Sequence, residues 1–207
     1  MNKLQTQKVI KEGLRQQETD IHDTDEIIKE PLGDDDIRFY LPNAPIMKYS
    51  ELNKYKIIEQ LLPKENTYAF LLYENSKNKG HWVVISRYKY LKSDKEDLIE
   101  FFDSYGEKID EELNWNAEEQ NRMLGQGHKI LTELLKKTNK KVIYNPFKYQ
   151  GDENNNINTC GRHCVFRIKN LLDCKRNLNQ YYTFMKEIKV ESGNTFDEII
   201  THLIDKI

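Results

Sequence analysis

Two short apolar runs, Thr67–Tyr73 (TYAFLLY) and His81–Tyr88 (HWVVISRY), stand on either side of a polar stretch, ENSKNKG, that ends in Gly80. Runs of this length, rich in β-branched and aromatic residues and bounded by turn formers, read as strands joined in an antiparallel hairpin. No other feature constrains the chain as much, because a hairpin is unstable alone and must be extended into a sheet and covered. A third strand follows at Leu98–Phe102, closed by turn chemistry in Asp103-Ser104-Tyr105-Gly106, and a fourth at Lys141–Tyr144. Helical patterns surround them in sequence. Ser50–Leu62 has Ser50 as its N-cap and Pro63 as its stop; Ala117–Lys137 is interrupted by Gly125 and Gly127; Thr159–Leu172 and Asn194–Ile207 follow. Leu41–Pro45, with its two prolines, reads as an extended connector. The expectation is an α+β fold with a central, mostly antiparallel sheet flanked by helices, not alternating βαβ units.

The chain's 207 residues suit one main domain, at 37–207, preceded by a polar, partly helical acidic segment at 1–36. Gln16–Asp36 holds nine acidic residues against Lys29 alone, a pattern that usually marks a solvated face. Over the whole chain, 32 Lys and Arg meet 34 Asp and Glu, for a net charge of −2. That balance excludes a dedicated nucleic-acid binder of the ordinary basic kind. No apolar run is long enough for a membrane span, and the first residues lack the apolar core of a secretory signal. Three cysteines, an odd number, argue against a disulfide scaffold and for a reducing, intracellular setting.

Cysteine then needs another reason to be present. Cys160 opens the helix of Thr159-Cys160-Gly161-Arg162-His163-Cys164, directly after an Asn-rich loop. Helix N-termini favour a thiolate, and Gly161 leaves the backbone uncovered, so a substrate carbonyl could approach the Cys160 amide. A lone cysteine is more often a small apolar core residue, which is the reading for Cys164 and Cys174. A single zinc held by Cys160, His163, Cys164 and Cys174 is rejected: Cys174 would lie ~20 Å along the helix from Cys160.

A thiol nucleophile needs a base, and the base an orienting partner. His22 lies in the acidic tract, while His128 and His202 fall in polar helical segments; all three read as surface residues. His163 shares the helix of Cys160 and projects beside it. His81 opens a strand just after Gly80, and Asp103 ends the neighbouring strand. Two antiparallel strands of that kind bring both side chains to one edge of the sheet, where Asp103 could hold one imidazole nitrogen. Gln150, ten residues before Cys160, could donate its amide to an oxyanion beside the Cys160 N–H. Singly, each residue has a blander structural explanation. Their joint order of His, Asp, Gln and Cys-Gly is far less expected by chance.

Gly80-His81-Trp82-Val83-Val84, Phe101-Phe102-Asp103-Ser104, and Tyr149-Gln150 followed by Asn158-Thr159-Cys160-Gly161 together resemble the adenovirus-type (adenain-like) cysteine proteases and the related ubiquitin-like-protein proteases. The resemblance spans about residues 67–175. Asp36–Tyr40 and Tyr49–Leu52 extend it loosely toward the maturation proteases of virophages and large DNA viruses. It implies a papain-like cysteine endopeptidase, acting as a monomer and needing no cofactor, with His81 as base, Asp103 as orienter, Cys160 as nucleophile and Gln150 as oxyanion donor. Trp82 and Gly161 would border the bound substrate. Implied substrates are viral capsid or core precursors, cut near small residues such as Gly, in the virion and host cytoplasm. Ubiquitin-like-protein cleavage, a same-triad acetyltransferase and a non-enzymatic virion or scaffold protein are the alternatives. Some relatives are stimulated by DNA. Lys129–Lys148, with six lysines and one acid, and Arg162–Arg176, with five basic residues and one acid, could track phosphates here, although such faces are more often simply solvated.

Overall fold

Pairing of Thr67–Ser76 with Lys79–Tyr88 organises the structure, a computed structural model that describes residues 26–89, 97–151 and 156–205. In chain order the main elements are α1 (Asp34–Tyr40), β1 (Ile46–Lys48), two 3-10 turns (Tyr49–Lys54 and Ile58–Gln60), β2 (Thr67–Ser76), β3 (Lys79–Tyr88) and β4 (Leu98–Phe102). A third 3-10 turn (Glu111–Trp115), α2 (Glu118–Met123), α3 (Ile130–Leu135), β5 (Lys141–Tyr144), α4 (Cys160–Cys174), α5 (Leu178–Ser192) and α6 (Phe196–Leu203) follow. They form two compact units: Leu41–Lys148, and the residues up to Tyr40 together with those from Tyr149 onward. Helix α1 runs across the boundary expected at residue 36.

In the first unit the five strands lie in the order β1-β2-β3-β4-β5. The two central pairings, β2–β3 and β3–β4, are antiparallel, whereas both edge pairings, β1–β2 and β4–β5, are parallel. The sheet is therefore mixed, which corrects the mostly antiparallel expectation. The cause lies in the connections: between β4 and β5 the chain passes through a 3-10 turn, α2 and α3, and a crossover of that length returns it in the same direction. Strands β2 and β3 run further into the polar stretch than their apolar residues suggest, leaving Lys77-Asn78 as the tip, with Asn78 in the left-handed region at φ 62°. Gly80 is required here. A Cβ at that position would fall 1.8 Å from the Tyr73 carbonyl oxygen, beside the register shift at Glu74 and Ser76.

One sheet face packs Leu71, Tyr73, Val83, Ile85, Ile99 and Phe101 against Leu52, Ile58, Leu62 and the apolar side of α3. Ser50–Leu62 is not one helix but two 3-10 turns separated by extended residues. The Lys56 N–H is taken by the Gln60 side chain at 2.7 Å, so a local side-chain bond replaces the helical one. Leu41–Pro45, expected to be extended, contains a turn closed by Ala44 N–H on the Leu41 carbonyl. The break between α2 and α3 falls at Gly125, φ 73°, as its sequence suggests, and His128 lies in that link instead of a helix.

The second unit carries α4 with α5 and α6. Helix α5 is a finding that the sequence reading omitted. Capping boxes start both later helices, Asn177 with Gln180 and Thr195 with Glu198. Arg162 and Arg167 are fully buried in α4, where Arg162 donates to the Ile204 and Glu30 carbonyls and Arg167 to the Arg176 carbonyl. Among the described residues no helix is long and apolar enough to cross a membrane.

Candidate active site

His81 is the third residue of β3, paired in register with Tyr73, and Asp103 is the residue after β4. The hairpin and the third strand thus bring them to the same end of two neighbouring inner strands, as the sequence implied. Their side chains meet with His81 Nε2 2.5 Å from Asp103 Oδ1, at 5% and 0% exposure. Asp103 is fixed from behind, since its carboxylate accepts from the Tyr105 and Glu107 N–H groups at 3.2 and 2.9 Å. Its own carbonyl accepts from Gly106 N–H and from the Asn145 amide. Tyr105 stacks on the imidazole at 4.9 Å, and Trp115 meets it edge-on at 5.2 Å. Nε2 of the His81 ring is thus the nitrogen turned to Asp103.

Glu112, which the sequence reading missed, lies with this pair. It sits in the 3-10 turn Glu111–Trp115, is 2% exposed, and offers an oxygen within 4.8 Å of ligand atoms on both His81 and Asp103. Neither carboxylate oxygen has a hydrogen-bond partner among the described residues. Burial, and then the Asp103 charge, push its carboxyl well above the usual range, partly opposed by His81. Nothing in Asp-Glu-Glu-Leu-Asn announces this, since adjacent acids ordinarily mark a solvated turn.

Cys160, Gln150 and Gly161 all belong to the other unit. Cys160 is the first residue of α4 and is 6% exposed; Gly161 beside it is buried. Gln150 is buried and reaches back across the loop, donating its amide to the Ile157 carbonyl at 2.9 Å. A second residue unseen in the sequence, Asp197 of α6, ties these pieces together. Its carboxylate accepts from Gly151 N–H at 2.8 Å, from the Thr159 hydroxyl, and from His163 Nε2 at 3.2 Å. Burial alone would raise the Asp197 carboxyl, but the His163 hydrogen bond and charge, with the Thr159 and Gly151 bonds, outweigh it and hold the group below the ordinary aspartate range. His163 is thereby engaged as a buried structural ring. His202 is half-buried, His128 is exposed, and His22 lies outside the described residues.

Cys164 is fully buried as expected, but Cys174, expected in the core, is half-exposed because it sits in the last turn of α4. Trp82 is 5% exposed and faces Leu72 across the hairpin, so it has little surface to give a ligand. The exposed aromatic at His81 is Trp115, at 45%. Of the two basic clusters, Arg162–Arg176 is largely interior, with Arg162, Arg167 and Arg176 all buried. Lys129, Lys136, Lys137, Lys141 and Lys148 are exposed. The first 25 residues of the acidic segment lie outside the described residues.

Fold and site define an α+β protein with a buried His–Asp pair at the ends of two inner strands of a mixed sheet and a cysteine at the head of a buried helix. No family model matches the chain. It is, however, 36% identical over 141 residues to a Sputnik virophage protein named uncharacterized protein V9, a match covering 68% of this chain and 76% of the relative. The chain belongs to the same protein family as this virophage protein.

Proposed function

We propose that this chain is a cysteine endopeptidase, a viral maturation protease that cleaves capsid or core precursor proteins next to small residues such as Gly. The observation that carries this reading is the buried His81–Asp103 pair, with Nε2 held by a carboxylate that is itself fixed by two backbone N–H groups. A buried histidine oriented in this way is the base half of a nucleophilic site. Cys160, at a helix start behind the Gln150 loop, supplies the nucleophile.

On this reading the Cys160 thiol gives its proton to the His81 ring, and Asp103 stabilises the imidazolium. The thiolate attacks the scissile carbonyl, and the resulting oxyanion is met by the Cys160 N–H and the Gln150 amide. His81 returns the proton to the departing amine, leaving a thioester. Water, deprotonated by the same ring, hydrolyses that thioester and restores the thiol. The virophage relative supports a virus-encoded setting for this chemistry.

The test is turnover of candidate viral precursor proteins and of a ubiquitin-like fusion by the wild-type chain, beside Cys160→Ala. Cleavage of precursors that is absent in the variant supports the proposal. Preference for the fusion would make the chain a ubiquitin-like-protein protease, and acetyl transfer from acetyl-coenzyme A an acyltransferase. A wild-type protein inert in all three assays refutes enzymatic use of Cys160.

A further inference from the structure

Glu112 is the least satisfied buried charge-bearing group beside the His–Asp pair. The other buried acids of its unit are matched: Asp110 accepts from the Tyr49 and Tyr73 hydroxyls and from Thr132 N–H, and Glu74 from Lys48 and Asn78 N–H. Glu100 accepts from the Tyr88 hydroxyl. Among the described residues Glu112 has no such donor for either oxygen. Leaving a buried carboxyl in that state costs free energy that an apolar side chain would not. Its oxygen is also gathered with His81 and Asp103, from three separate elements, into one group whose ligand atoms lie within 4.8 Å of one another.

We propose that His81, Asp103 and Glu112 form a binding site for a divalent transition-metal ion of the zinc class, separate from Cys160, whose occupation withdraws the His81 base. Two carboxylates and a neutral imidazole carry a charge that a divalent cation balances, whereas an imidazolium alone compensates only Asp103. One nitrogen and two oxygen ligands leave a coordination position open, as in zinc sites with three protein ligands. The imidazole favours a first-row transition ion over magnesium or calcium, which take oxygen ligands. The ~2.0–2.2 Å bonds that zinc makes require His81 Nε2 and Asp103 Oδ1 to part from their 2.5 Å contact so that the ion lies between them. The supporting shell is in place, because the Tyr105 and Glu107 N–H groups hold Asp103 whichever cation it faces. Trp115, half-exposed and edge-on to His81, borders the group.

Metal binding stands on this geometry alone; only its inhibitory consequence rests on the peptidase reading. Zinc affinity is measured on the full chain carrying Cys160→Ala, by competition with a chromophoric chelator, with magnesium and calcium as comparison ions. The expected result is a single zinc bound in preference to either, with nitrogen and oxygen but no sulfur in its X-ray absorption spectrum. Glu112→Gln is expected to weaken zinc roughly tenfold or more. Asp103→Asn, the second variant should the first fail to fold, is expected to do the same. Absence of zinc binding, affinity unchanged in whichever of these variants fold, sulfur in the coordination shell, or equal affinity for magnesium would each overturn the site. Peptidase activity is assayed separately on chelator-treated wild type. Lack of cleavage there refutes the peptidase reading and leaves the zinc result standing, while an active enzyme that binds no zinc overturns this inference alone.

Discussion

Cys160 and Cys174 compete on different physical grounds for an alkylating reagent. Cys174 is the more exposed, while Cys160 has the helix N-terminus and the proposed partnership with His81. If thiolate character governs, brief iodoacetamide treatment near neutral pH modifies Cys160 first, and peptide mapping reports which thiol leads. Labelling led by Cys174 would mean that exposure alone decides, and Cys160 would lose its role. The partner residues differ in what their loss should do. His81→Ala should abolish precursor cleavage as fully as Cys160→Ala, because nucleophile and base act as one unit. Asp103→Asn should retain measurable turnover, roughly 10²–10⁴-fold below wild type, since an amide preserves part of the orientation of His81. Near-normal kcat/KM in His81→Ala would remove the base from this strand. Both residues could be read in the sequence because each sits at a strand end, where period and turn chemistry place it. Glu112 and Asp197 could not, because an acid in a polar run looks the same whether the chain buries it or not.

At the scale of elements, helix α6 does more than close the chain. Through Asp197 it holds the Gly151 N–H next to Gln150 and the Thr159 hydroxyl next to Cys160. Because the Asp197 carboxyl is held below its ordinary range, its ionised form stabilises the fold at pH values above about 4, the unfolded aspartate value. That contribution is lost as pH falls through the lower, folded value. Asp197→Asn should therefore cost about 1–3 kcal/mol at pH 7 and progressively less in acid, as read by chemical denaturation at pH 7 and pH 3. An equal loss at both pH values would show that the charge is irrelevant. Helix α5 had a readable signal, a capping box at Asn177 followed by Leu178, Tyr181, Phe184, Met185 and Ile188 on one face. The opposite case is Ser50–Leu62, whose apolar spacing suits a helix but whose backbone is diverted where Gln60 captures the Lys56 N–H.

For the whole molecule, the proposed chemistry joins residues of two compact units, His81 and Asp103 in one and Cys160 and Gln150 in the other. It requires the Cys160 sulfur and the His81 ring to meet in the working enzyme. A short reagent that alkylates a thiol and then a nearby imidazole, such as 1,3-dibromoacetone, should link Cys160 to His81 in the native chain. Mass spectrometry of the digest identifies the linked peptides. A link from Cys160 to His163 instead, or none to any histidine, would contradict the triad. What the sequence by itself determined is local: the hairpin, its Gly80, the turn after Phe102, and the helix that begins at Cys160. Each follows from periodicity and from the conformations that single residues allow. Only the tertiary structure decided that the sheet has parallel edges, that Arg162 and Arg167 are interior, and that Glu112 lies unmatched beside His81. Those outcomes depend on which distant segments are packed together, and burial of a charge is set by its surroundings, not by its neighbours in the chain.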